Sequence, residues 1–155
     1  MDPTEQLTEL LEAMITKLPA GVQGLSSDLD QAAELMAAGA IPEAPLIRVF
    51  LKTLKGKRAF GLIREAGDVF SDHLSDLDQT VIAQAEIDTG SLTRARKRLD
   101  PLLDPTGRRG SEANGLMGRA HKQLFVSAMA NHDREAAQRH LDACLLYTSP
   151  SPRDA

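Results

Sequence analysis

Tryptophan is absent from this chain of 155 residues, cysteine and tyrosine occur once each, and phenylalanine occurs four times. A lone thiol cannot close a disulfide framework or supply a thiolate zinc site. With so few rings the core must be built from Leu, Ile, Val, Ala and Met, which favours close-packed helices over a sheet. No apolar run approaches the roughly 18 to 20 residues needed to span a bilayer. The opening Met1-Asp2-Pro3-Thr4-Glu5-Gln6 has neither the basic nor the apolar region of a signal peptide. The expectation is a soluble cytoplasmic protein. Also missing are a Gly-x-Ser-x-Gly elbow, a phosphate loop and an HExxH helix, so no enzyme and no cofactor is expected.

The formal net charge is −4, unevenly spread. Up to Pro45 eight acidic residues face Lys17 alone, whereas from Leu46 to Ala143 basic residues slightly outnumber acidic ones. Domain-wide basicity, the usual footprint of a nucleic-acid binder, is lacking.

Apolar residues recur at helical spacing throughout, and nothing alternates with period two over a useful length. Asp2-Pro3 caps a first helix carrying Leu7, Leu10, Leu11, Met14, Ile15 and Leu18, which ends over Pro19 to Gly24. Ser26-Ser27-Asp28 opens a second, closed by Gly39 and Pro42. A third begins at Pro45 and ends at Gly56. Further helices are expected from about Lys57 to Leu74, Asp76 to Asp88 and Ser91 to Leu103, then from Ser111 to Ala130 beyond a loop over Asp104 to Gly110, and finally from near Asp133.

These helices pair at a repeating distance. Gly56 and Gly90 are 34 residues apart, as are Ile47 and Val81, Val49 and Ala83, and Leu51 and Ala85. In the second helices the offset is 33, aligning Leu62, Ala66 and Val69 with Ala95, Leu99 and Leu102. About 34 residues and two helices per unit is the tetratricopeptide length. Small residues such as Ala83, Ala95 and Gly118 suit the crossing points of a close hairpin. Gly115 and Gly118 on one helix face also read as close packing.

The segment Ile87 to Ala95, with Gly90 followed by a short polar step and Ala95, resembles the tetratricopeptide turn, although Glu86 stands where that family prefers tyrosine. Glu112 to Val126 is similar to the signature helix of the TRAFs-binding region of apoptosis signal-regulating kinases and their bacterial relatives: Gly118, Arg119 and Lys122 match its Gly-Arg-x-Tyr-Lys core, and His121 replaces the aromatic. The resemblance spans roughly Leu46 to Ala143. It implies an all-α, right-handed alpha-alpha superhelix of tetratricopeptide-like hairpins with a regulatory or scaffolding role. In such a stack the first helices line a concave groove. Arg48 and Lys52, then Gln84 and Asp88, then Arg119, Lys122 and Gln123 would face it and could hold an acidic or C-terminal peptide through charge-assisted hydrogen bonds.

The remaining polar clusters read less sharply. Arg94, Lys97 and Arg98 share a face, with Arg96 elsewhere and Arg108 and Arg109 following, but no aromatic interleaves for base stacking. A solvated outer face is expected. His73, His121, His132 and His140 lack the spacing of helical metal ligands, so no metal site is expected.

The last twelve residues, Cys144 to Ala155, resemble a translated sequencing adapter, which would place the only cysteine and tyrosine in foreign sequence. The expected organisation is an acidic helical cap over 1–44, truncated repeats over 45–143 and a non-native tail over 144–155, with Ala130 onward frayed or poorly packed. The functional expectation is a protein or peptide interaction module, whose partner could be another domain of the same polypeptide. The alternatives are an accessory region of a trypsin-like protease or kinase whose catalytic domain is missing, and a small helical DNA-binding regulator.

Overall fold

A computed structural model describes residues 1–104 and 112–148. The predicted loop residues Pro105, Gly107, Arg108, Arg109 and Gly110, the start of the seventh helix at Ser111, and the tail from Ser149 lie outside the described residues. Among those described, regular structure is entirely helical: α1 Pro3–Lys17, α2 Leu25–Ala37, α3 Ala44–Gly56, α4 Phe60–Val69, α5 Asp76–Asp88, α6 Leu92–Leu99, α7 Glu112–Ala130 and α8 Arg134–Thr148. None of them is long and apolar enough to cross a membrane. The chain divides within α5 into two units, Met1–Ala85 and Glu86–Ala155.

Local chemistry sets the helix starts. Asp2 accepts from the Glu5 amide at 2.8 Å with Pro3 at the first position. Ser75 and Asp78 form a reciprocal capping box: the Ser75 amide donates to Asp78 Oδ2 at 3.0 Å, and the Asp78 amide to Ser75 Oγ at 3.2 Å. Asp133 caps α8 by accepting from the Ala136 amide at 3.0 Å. The α2 start differs from expectation, because Gly24 at φ 78 is the cap and Ser26 is already helical. The Ser26 hydroxyl instead donates to Glu65 at 2.7 Å, tying α2 to α4. Two helices stop earlier than the periodicity suggested. α4 gives way at Phe70 to a 3-10 turn over Ser71–His73, and α6 to another over Asp100–Leu102, where Pro101 cannot continue the α-helical ladder.

Four helix ends share one pattern. In a Schellman ending a left-handed residue donates to the carbonyl three back, and the next residue to the carbonyl five behind it. That pattern occurs at Gly39, Arg58, Gly90 and His132, with φ values of 100, 55, 84 and 58. The second bond runs from Ala40 to Leu35, Ala59 to Leu54, Ser91 to Glu86 and Asp133 to Ala128. The turn equivalent to Gly90 is therefore Arg58, since Gly56 is still within α3. The spacing between equivalent turns is 32 residues and then 42, not a constant 34.

In the first unit α1 packs on α2 and α3, α2 on α4, and α3 on α4, so one hairpin is laid over the next. The two helices of the acidic cap thus share a core with the pair that follows. Leu7, Leu11, Met14, Leu29, Ile47, Phe50, Leu54, Ile63 and Phe70 are buried there. Gly67 of α4 marks a close approach: a Cβ at that position would lie 3.0 Å from Ile82 of α5. In the second unit α7 packs between α6 and α8. Mutual bonds between the Asp104 backbone and the Asn114 side chain, at 3.0 and 3.3 Å, clasp the chain to the first turn of α7.

α8 is helical through Thr148, with Tyr147 packed and Leu145 and Leu146 exposed, so fraying from Ala130 is not observed. Gly118 is buried as its reading as a packing residue requires, but Gly115 is exposed, and a Cβ there meets no described atom within 4 Å. Gly115→Ala is expected to stabilise the protein by up to about 1 kcal/mol through helix propensity. Gly67→Ala should destabilise it because Ile82 must shift. Urea denaturation of the two variants reads both signs.

Candidate functional site

The expected groove residues divide between the two units. Arg48 and Lys52 are exposed on α3, and Gln84 is half-buried on α5, all within Met1–Ala85. Asp88, Arg119, Lys122 and Gln123 fall in the second unit, where the structure gathers them around α7. Arg119 Nη2 lies 2.9 Å from Asp88 Oδ1, so part of the charge expected to await a ligand is already paired. Lys122 and Gln123 are exposed. Two hollows adjoin here. One of about 430 Å³ is lined by Arg119, Lys122, Gln123 and Val126. The other, of about 440 Å³, has Phe125, Leu141 and Cys144 in its walls beside Gly118, Arg119 and Lys122. Apolar Phe125 and Leu141 thus line the same hollow as cationic Arg119 and Lys122.

The basic run on α6 is a solvated face only in part: Arg94 and Lys97 are exposed, whereas Arg98 is turned inward. Arg98 grips Glu86 with both carboxylate oxygens engaged, Nε to Oε1 at 2.8 Å and Nη2 to Oε2 at 3.3 Å, while Arg94 Nε stands 3.5 Å from Oε2. The Glu86 side chain is 1% exposed. Position explains why the charge is withdrawn: Glu86 precedes its left-handed turn residue by the same four places as Leu54 and Ala128 precede theirs. Eight places beyond the turns stand Ala66, Arg98 and His140. The α5–α6 turn thus uses a carboxylate and a guanidinium where the α3–α4 turn uses leucine and alanine.

The last hairpin holds a histidine pair that sequence spacing does not reveal, with His140 at the place equivalent to Arg98. His121 on α7 is 5% exposed, and its Nδ1 lies 3.0 Å from His140 Nδ1 on α8. One ring must donate and the other accept, so the contact requires at least one unprotonated facing nitrogen. Tyr147 stacks on His121 with centroids 5.8 Å apart and planes 6° from parallel. Burial, then the Arg96 guanidinium, then His140 itself lower the His121 pKa to about 4. Burial, Arg96 and Arg139 lower that of His140 against an opposing pull from Asp133. Among the described residues no group of three or more His, Cys, Asp or Glu side chains is placed to hold a metal ion.

Two predictions follow from these contacts. Glu86→Leu alone removes the buried carboxylate that Arg98 and Arg94 engage and should destabilise the protein by up to about 3 to 5 kcal/mol, while Glu86→Leu with Arg98→Ala, which copies Leu54 and Ala66, should recover part of that loss in chemical denaturation. The second concerns pH. His121 is held neutral in the fold and titrates near 6.5 when unfolded, so the unfolded state takes up the proton first as pH falls. Its stabilisation should be intact above about 6.5, decline through the interval below, and be lost near 4; His121→Phe should flatten that part of the stability profile relative to the parent. No protein-family model matches the chain, and comparison with curated proteins and with solved structures finds no match either.

Proposed function

We propose that the chain is a protein-interaction or regulatory scaffold module, a right-handed stack of tetratricopeptide-like hairpins whose α7 surface binds a peptide or neighbouring domain. The observation that carries this reading is the pair of adjoining hollows lined by apolar Phe125 and Leu141 and by cationic Arg119 and Lys122. The cations offer charge to a carboxylate, and the apolar residues offer area to an apolar side chain. Its match of Gly118, Arg119 and Lys122 to the TRAFs-binding signature helix agrees with that role. The reading assigns the module binding and no bond chemistry. Arg48, Lys52 and Gln84 belong to the proposed groove only if the first unit contributes to it.

Selection of a random peptide library against the intact chain tests the proposal. Recovered peptides should pair an acidic group with an adjacent apolar residue. Reversing the charge with Arg119→Glu and Lys122→Glu should weaken them by at least about tenfold, roughly 1.4 kcal/mol. Undiminished binding by the double variant would remove the α7 surface from the function. Arg48→Glu with Lys52→Glu reads separately whether the first unit takes part.

A further inference from the structure

Arg96 and Lys97 are the cations on α6 that the Glu86 ion pairs do not engage. Arg94 and Arg98 turn to Glu86, and Arg96, two residues from each, projects from another side of the helix. There its charge is felt by His121 and His140, which places it toward α7 and α8. Its Nε is buried and has no hydrogen-bond partner, and no ion pair to Arg96 is found among the described residues. Withdrawing a guanidinium nitrogen from water without an acceptor is costly, and native proteins rarely leave such a group uncompensated. Arg96 also lines an open surface hollow of about 390 Å³ together with Thr93, Lys97, Asp100, Pro101 and Met117. Thr93, Arg96 and Lys97 stand at i, i+3 and i+4, so a guanidinium, an ammonium and a hydroxyl share one helix face.

We propose that this hollow binds a single phosphate group, held by Arg96 and Lys97 with the Thr93 hydroxyl as a further donor. A planar carboxylate would be satisfied by the guanidinium fork alone, whereas a tetrahedral dianion presents acceptors in enough directions to engage all three donors. Asp100 on the same wall leaves the site a net charge of about one positive, which suits one phosphoryl group better than a polyanion. The hollow is open to solvent, so the remainder of a monoester could extend outward from it. The site is separate from the Arg119 and Lys122 surface and stands or falls independently of peptide binding there.

The test uses the intact chain, first with inorganic phosphate against chloride at matched ionic strength. Phosphate at about tenfold its dissociation constant should raise the unfolding midpoint by about 3 to 6 °C. It should also move the His121 titration, followed by NMR, upward from about 4, because the bound anion offsets the Arg96 charge. Arg96→Met should abolish both responses, and Lys97→Met should weaken them. Lys97 is exposed, so Lys97→Met tests the site at a position where loss of folding does not confound the comparison. O-phosphoserine binding at least about tenfold more tightly than inorganic phosphate identifies a monoester ligand, and equal affinity identifies the free ion. Equal responses from the parent and Arg96→Met, or tighter binding of duplex DNA than of either phosphate species, would overturn the proposal.

Discussion

The buried carboxylate of Glu86 organises the second unit. A charge at 1% exposure can persist only with close, well-oriented partners, and here two arginines of α6 supply them. Meeting that demand fixes the rotation of α6 about its own axis. With Arg94 and Arg98 committed to one side, Arg96 is carried to another, where its field reaches the histidines of the next two helices. One acidic residue thus sets the electrostatics of side chains it does not touch. An apolar residue at this position, like Leu54 or Ala128 at the other turns, would leave α6 free to choose its facing by packing alone.

Repetition in this molecule lies in how helices end. Four of them finish with the same pair of backbone bonds, and two of the four put arginine and histidine in the left-handed region. A non-glycine side chain there carries a modest strain, which the two terminal hydrogen bonds and the packing of the returning helix offset. The Arg58 guanidinium, 5.2 Å from the centre of the Phe60 ring, adds a compensating contact. Because the turn is defined by backbone geometry, the side chains before and after it can vary from Leu and Ala to Glu and Arg to Ala and His without changing the connection.

Much of the helix order was legible because its punctuation is chemical. Asp2-Pro3, Pro45, Asp76, Gly90 and Asp133 each mark a boundary within a residue or two of where it falls. The repeat distance was misread where glycine stood in for geometry: Gly56 looked like the partner of Gly90, yet Arg58 takes the turn. Gly115 was read with Gly118 as a close-packing residue, but it faces outward. The partner surface was legible in part, since Arg119, Lys122 and Gln123 do adjoin on α7. The Asp88 pairing that partly neutralises Arg119 depends on the relative placement of α5 and α7, which spacing within a helix does not encode. For the same reason neither the Glu86 cluster nor the meeting of His121 with His140 could be read from the chain. A run of arginines looks the same on paper whether it faces water or a buried carboxylate.

The Asp104 clasp bears on how the protein ages. Asn114 precedes Gly115, and an asparagine before glycine is especially prone to cyclise onto the following backbone nitrogen and lose its amide. Here Oδ1 of Asn114 accepts from the Asp104 amide and Nδ2 donates to the Asp104 carbonyl, while the residue itself is buried on a helix. Both ends of the amide are held away from the geometry that cyclisation requires. Were the clasp to open and the amide be lost, the new carboxylate could no longer donate to that carbonyl, and reclosure would be disfavoured. The two hydrogen bonds therefore protect the chemical group that makes them.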